Sequence, residues 1–224
     1  MMTDIKIALV PVTVFQQNCS LVWEPATMRA AVIDPGGEPG KILDALTRLG
    51  LQVELILLTH GHLDHAGGAK ALKGELDAAR AAHNLPAVPI VGPDIRDTFL
   101  LDGIEEAQKQ FGMSGMRNVT PDRFLTEGET IPLGTLSFEV FHVPGHTPGH
   151  LVFFERAARV AFSGDTVFRG SVGRTDFPYG DGAQLIAGIK AKLLPLGDDV
   201  TFIPGHGPAS TLGAEREDNP FLQE

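Results

Sequence analysis

Cysteine is nearly absent. Cys19 stands alone in 224 residues, so the chain can form no intramolecular disulfide and must draw its stability from packing. A lone thiol suits a reducing cytosol, and its expected place is a buried position where it behaves as a small apolar side chain. Basic residues are also scarce: 18 Lys and Arg face 28 Asp and Glu, giving a net charge of −10. That balance excludes a general affinity for nucleic acid or anionic lipid and leaves a small molecule as the expected partner. No apolar run reaches the roughly 18 residues of a membrane helix. The opening Met1-Met2-Thr3-Asp4-Ile5-Lys6 lacks the basic start of a signal peptide, and Pro11 interrupts the apolar stretch behind it. The expectation is a cytoplasmic protein, a monomer with a weak dimer left open.

What the chain does have is a hydrophobic share of 43%, enough for a full core at this length. β-rich runs at 5–12, 20–23 and 30–33 precede Asp34-Pro35-Gly36-Gly37, whose turn chemistry ends the third run. Pro39 suits the first turn of a helix, Ile42, Leu43, Leu46 and Leu49 recur at helical spacing, and Gly50 ends it. A buried strand follows at 53–58. Alanine, lysine, leucine and glutamate then predict one helix from 64 to about 82, and a second is expected over 94–111, in a segment placed to cover a site. Further strands are expected at 130–133, 136–143, 151–154, 160–162 and 200–203, with a helix over about 182–194. Periodicity supports mixed α and β structure in a single domain, 1–224.

The most informative stretch is Thr59-His60-Gly61-His62-Leu63-Asp64-His65, directly after the buried strand. Side chains two apart in extended backbone point the same way, so His60 and His62 can grip one ion. The turn into the helix redirects Asp64 and His65 toward a second ion a few ångströms away. Four such residues in this pattern would arise by chance in roughly one chain of this length in a thousand. Three later strands end in a histidine or aspartate: Pro144-Gly145-His146, Ser163-Gly164-Asp165 and Pro204-Gly205-His206. Alone, His146 or His206 reads as a loop histidine and Asp165 as a turn cap. Joined to the first motif, they complete two sites, with Asp165 between them. All donors are imidazole or carboxylate, a set suited to zinc, iron(II) or manganese. His150 is either an orienting group behind a ligand or a packing residue. His142 and His83 read as structural.

In this order, His60-x-His62-x-Asp64-His65, His146, Asp165 and His206 resemble the metallo-β-lactamase superfamily over nearly the whole chain. Within it, Gly173-Arg174-Thr175-Asp176-Phe177-Pro178, the stretch from Lys192 to Pro208 and the tail Asn219-Pro220-Phe221-Leu222 are similar to the short, single-domain type II glyoxalases of bacteria. The resemblance implies an α+β fold, the four-layer αββα sandwich, and two divalent metal ions per chain, zinc foremost. It implies His60, His62 and His146 at the first ion, Asp64, His65 and His206 at the second, and Asp165 bridging, with Asp64 and Asp165 in the catalytic centre. The implied activity is hydrolysis of S-D-lactoylglutathione, a glutathione thioester, to lactate and glutathione by a metal-bridging hydroxide. Longer type II glyoxalases hold glutathione with a basic residue, tyrosines and a C-terminal helical domain. Arg174 keeps the basic character and is the candidate for a substrate carboxylate, or else pairs with Asp176. Asp176 and Pro208 stand where tyrosines are expected, and eighteen residues after His206 leave no room for the helical domain. Persulfide dioxygenases share the scaffold but use one iron, which here would take His60, His146 and Asp165.

Overall fold

Two sheets lie face to face, and helices cover the outer side of each. The computed structural model describes residues 5–223, so Met1 to Asp4 of the N-terminal reading lie outside the described residues. The first sheet has the order β1 (Lys6–Val12), β2 (Gln17–Trp23), β3 (Arg29–Ile33), β4 (Gln52–Leu57), β5 (Ile90–Val91). β1 to β3 form an antiparallel meander, whereas β3, β4 and β5 run parallel and therefore need crossovers. α1 (Pro39–Leu49) makes the first crossover, and α2 (Leu63–Ala66) with α3 (Ala69–Ala81) the second. After α4 (Thr98–Leu101) and α5 (Ile104–Gln110) the chain enters the second sheet. Its strands are β6 (Thr130–Leu133), β7 (Leu136–His142), β8 (Leu151–Glu155), β9 (Val160–Gly164), β12 (Thr201–Pro204) and β13 (Ser210–Thr211), in spatial order 13-12-9-8-7-6. The hairpin β10 (Val167–Phe168) and β11 (Ser171–Val172) and the helices α6 (Gly182–Gly188) and α7 (Leu212–Asp218) complete the described chain.

The four layers follow from how alternation sorts neighbouring residues among three apolar clusters. In β3, Val32 packs toward the helices while Ala31 and Ile33 face the other sheet; from β4 onward, Ile56 and Leu58 divide from Leu55 and Leu57 in the same way. In β8, Leu151 and Phe153 face the first sheet, and Val152 and Phe154 pack with Leu185 and Ile189 on the outer side. Strands buried on both faces read as nearly unbroken apolar runs, which is why 53–58 shows little polar alternation. Cys19 is a buried free thiol in the helix-side cluster.

Three expected helices are interrupted. The run expected over 64–82 breaks at Gly67-Gly68, where the Gly68 N–H leaves the helix to donate to the Pro35 carbonyl (2.9 Å). This tie docks the Pro35-Gly36-Gly37 turn on α2 so closely that a β-carbon at Gly36 would overlap the Asp64 carbonyl. The segment 94–111 is a 3-10 turn (Ile95–Asp97) followed by α4 and α5, separated at Asp102-Gly103. Beyond α6 the chain loosens into a π turn (Ile189–Leu193) and a 3-10 turn (Leu194–Leu196) as it meets Pro195, which has no N–H to donate. β10, β11, β13 and α7 were not expected; the three strands are two residues long and carry no period. Among the described residues no helix is long and apolar enough to cross a membrane.

Parallel pairing of β9 with β12, and the antiparallel steps from β7 through β8 to β9, bring the C-terminal ends of β7, β9 and β12 to one edge. The loop after β4 arrives at the same edge from the first sheet.

Candidate metal centre

All seven side chains singled out as ligands converge at that edge, in two groups of three with Asp165 between. The donor atoms of His60, His62 and His146 lie within 4.8 Å of one another, and so do those of Asp64, His65 and His206. In the first group, His62 Nδ1 is 3.1 Å from His60 Nε2 and 2.9 Å from His146 Nε2. In the second, Asp64 Oδ2 is 3.2 Å from His206 Nε2 and 4.0 Å from His65 Nε2. Asp165 spans them: Oδ1 is 3.3 Å from His65 Nε2, and Oδ2 is 3.5 Å from His146 Nε2 and 3.7 Å from His206 Nε2. Gly205 precedes His206 because a β-carbon there would run into Asp165 and His65.

The far nitrogen of every ring is engaged by another group, which fixes the ring and aims the other nitrogen inward. His60 Nδ1 meets Thr59 Oγ1 (3.0 Å), His62 Nε2 the Tyr179 hydroxyl (2.9 Å), and His146 Nδ1 the Arg174 carbonyl (2.8 Å). His65 Nδ1 meets Asp34 Oδ2 (2.9 Å), and His206 Nδ1 the Phe15 carbonyl (3.1 Å). Asp34 also accepts from the Thr59 N–H (2.7 Å) and hydroxyl (2.6 Å), so one buried carboxylate sets both sides of the motif. The Asp165 N–H donates to His150 Nε2 (2.9 Å), and the His150 ring stacks on His60 at 4.6 Å. His150 therefore orients Asp165 through its backbone. His142 ends β7, against the Pro148 carbonyl, and His83 is exposed beyond α3; both lie outside the cluster.

Two polar atoms buried at the centre, His65 Nε2 and Asp165 Oδ1, face each other at 3.3 Å and have no hydrogen-bond partner beyond that contact. Orphaned donor atoms facing each other inside a cage of imidazole and carboxylate fit cations, since leaving such groups unpaired would otherwise be costly. Electrostatics separate the two groups: without a cation, the imidazoles of the first favour the neutral form that a ligand needs, whereas His65 and His206 of the second, set among carboxylates, favour the protonated one. Burial, reinforced by the neighbouring imidazoles, pushes His60 well below its ordinary value and His62 down to about 3, and burial likewise lowers His146, so these rings keep free lone pairs at neutral pH. Burial opposes charge on Asp165, yet His65, His146 and His206 hold it well below the usual carboxylate range. Burial also opposes charge on His65, but the carboxylates of Asp165, Asp34 and Asp64 keep it well above the imidazole range.

A cleft of about 680 Å³ opens over the cluster, with His62, Asp64, His146, Asp165 and His206 in its floor. The segment after β5 forms one wall through Leu100, Ile104, Ala107 and Phe111, as expected of a covering segment. Arg174, Phe177 and Tyr179 line the opposite wall. Arg174 is exposed and paired with Asp176 (Nε to Oδ1 2.8 Å, Nη2 to Oδ2 2.9 Å), its guanidinium 4.5 Å over the Phe177 ring. Tyr179, Asp34 and Asp97 are site residues that the sequence reading passed over. Asp97 Oδ2 accepts from the Gly61 N–H (2.9 Å) and the Thr147 hydroxyl (2.7 Å), and Oδ1 from the Gly149 N–H (2.6 Å), clamping together the two loops that carry His60, His62 and His146.

Residues 12–206 match the family model of the metallo-beta-lactamase superfamily. The chain belongs to that superfamily. Within it the chain is 46% identical over 218 residues, 97% of its length and 98% of the relative's, to hydroxyacylglutathione hydrolase GloC of Haemophilus influenzae. Among solved structures it is similar to TTHA1623 in a di-iron-bound form, with 38% identity, TM-score 0.81 and coverage of 96% of this chain and 100% of that one. It is also similar to the BLEG-1 B3 metallo-beta-lactamase, with 32% identity, TM-score 0.84 and coverage of 98% and 100%. The αββα sandwich expected from the resemblance is the fold of this family member, and its clustered histidines and aspartates can hold metal ions.

Proposed function

We propose that this superfamily member is a dinuclear, metal-dependent thioester hydrolase, cleaving hydroxyacyl thioesters of glutathione such as S-D-lactoylglutathione. The observation that carries the reading is the completeness of both donor groups around Asp165, with every ring nitrogen not facing the centre already held. Likeness to GloC supports the substrate class, likeness to the di-iron form of TTHA1623 supports two ions, and the imidazole and carboxylate donors suit zinc, iron(II) or manganese. Bound divalent ions would supply a water of lowered pKa and a Lewis acid for the thioester carbonyl. His60, His62 and His146 would hold one, Asp64, His65 and His206 the other, and Asp165 both.

The chain's own groups do the rest. Asp64 and Asp165 present carboxylate oxygens to the centre of the floor, where they orient an attacking water and accept its hydrogen bond. Phe177 stacks on Tyr179 at 5.3 Å and closes the side of His62, limiting water there. A thiol with pKa of about 8.5 leaves without strong general-acid help, so no further proton donor is required. No serine or cysteine nucleophile is needed either. Arg174 stands at the rim, free to exchange Asp176 for a substrate carboxylate, a bidentate match for its guanidinium. Glutathione is thus held at the rim through its carboxylates.

The test is reconstitution with zinc, iron(II) or manganese, metal counting, and measured loss of thioester absorbance from S-D-lactoylglutathione, with a chelated control and a cephalosporin as comparison. Chelator-sensitive cleavage with two ions per chain is expected. A chain with two ions that leaves the thioester intact overturns the reading. One iron per chain with oxygen uptake on glutathione persulfide would point instead to the dioxygenase chemistry of His60, His146 and Asp165.

A further inference from the structure

The cleft is lopsided. Among the described residues, Arg174 is the one cation in its lining apart from the histidines, and it stands on the wall of Phe177 and Tyr179, beside His62 and His146. The facing wall carries no charge outside the metal floor: Phe15, Leu100, Ile104, Ala107 and Phe111 line it, with Gln110 at its edge. Phe15 and Phe111 meet edge to face at 5.3 Å, yet both remain substantially exposed, 37% and 53%. Phe15 is also tied to the floor, since its carbonyl accepts from His206 Nδ1. What sets these two apart from the other exposed apolar side chains is that they touch each other and line the cleft beside its floor, a contiguous apolar surface of the kind that marks a ligand groove.

From this asymmetry we infer that the Phe15–Phe111 wall is an acyl pocket and that the preferred substrates are thioesters whose acyl group carries an aromatic or branched apolar side chain. The inference rests on the thioesterase reading and names its substrate class. A carboxylate-bearing thiol portion belongs on the side of Arg174, where charge complements it. The acyl portion then lies across the floor against the uncharged wall. A lactoyl methyl leaves most of that wall wet, whereas a phenyl group in its place covers Phe15 and Phe111 and removes apolar surface from water.

The experiment compares kcat/KM of the metal-loaded protein for S-lactoylglutathione and S-mandeloylglutathione, which share the 2-hydroxyacyl thioester and differ only in methyl against phenyl. The mandeloyl thioester is expected to be favoured by about tenfold or more, mainly through KM, the scale of apolar side-chain discrimination in a pocket. Phe111→Ala and Phe15→Leu, made at solvent-exposed rings, should bring the ratio toward one while metal content and thermal unfolding stay as in the parent. A ratio at or below one in the parent, or an unchanged ratio in both variants, overturns the acyl pocket and leaves the thioesterase reading standing. Cleavage of neither thioester by the two-ion protein overturns that reading and the acyl pocket with it.

Discussion

The two donor groups sit a few ångströms apart but are built on different physics. The first, His60, His62 and His146, is all imidazole, largely buried, and backed by neutral partners: a threonine hydroxyl, a tyrosine hydroxyl and a backbone carbonyl. Its rings are held neutral, so geometry alone prepares it for a cation. The second contains a carboxylate of its own and leans on another, Asp34, behind His65. It is also more open, because the His206 side chain is 28% exposed while His60 is fully buried. One group is pre-organised by shape and the other by charge. Changes that loosen loops should therefore harm the first group, and changes that remove charge the second.

The change that ignores the distinction is expected to do most damage. Asp165→Asn removes the group shared by both, and should lower kcat/KM by more than about a hundredfold, beyond the range seen for outer ligand-orienting residues, with metal content per chain falling below two by elemental analysis. Next in size is Asp34→Asn, which keeps the shape and tolerates the backbone φ of 52° at this position but withdraws the negative charge behind His65. The ion of the second group should bind roughly 10–100-fold more weakly in chelator competition, and that of the first should weaken less, since Asp34 reaches it only through Thr59. Equal weakening of both ions would erase the contrast.

How much of this could be read in the sequence depends on distance along the chain. His60, His62, Asp64 and His65 are contiguous, so the alternation of strand and helix turn already implies two directions of approach. His146, Asp165 and His206 each stand alone after a strand; their repeated place at a strand end joins them to the first motif, and the family resemblance assigns each to its group. The orienting groups were invisible for a physical reason: Asp34 lies 31 residues from His65, and Tyr179 lies 117 from His62. Asp34 reads as an ordinary turn residue and Tyr179 as one ring in a loop, and only the packed fold pairs them. The same limit applied to architecture. Apolar periodicity shows that β3, β4 and β8 are buried, but not which sheet each face meets, so the four layers came from the resemblance. Helix interruptions at Gly67-Gly68 and Asp102-Gly103 were missed because composition between these points favours helix throughout.

The shape-built group can be probed through Asp97. Burial pushes its carboxyl up to about 6, against the pull of Thr147, Gly61 and Gly149, which favour the charged form. A carboxyl with a raised value holds its proton more tightly in the folded chain than in the unfolded one. Stability from this group is therefore gained as pH falls from about 6 toward the ordinary carboxylate range near 4, and lost as pH rises. Chelated wild type should gain about 2 kcal/mol relative to Asp97→Asn between pH 7 and pH 4 in urea unfolding. Parallel pH curves for the two proteins would mean that Asp97 is charged across the range and only ties the loops.

The smallest expected effect is the sharpest test of the contrast. Tyr179→Phe removes a single oxygen, the acceptor for His62 Nε2, while its ring can keep the stack on Phe177 and the edge contact with Phe99 at 5.2 Å. Nothing charged is lost, and His65 and His206 keep their partners. If the first group depends on ring orientation, the ion it holds should bind about tenfold more weakly, the low end of the cost of losing an outer partner. Cobalt(II) substitution makes this visible site by site, because the absorption bands of the affected ion should shift and its occupancy should lag in titration. Identical spectra and affinities in the variant would mean that the histidine cage holds His62 without help, and that Tyr179 serves the cleft wall alone.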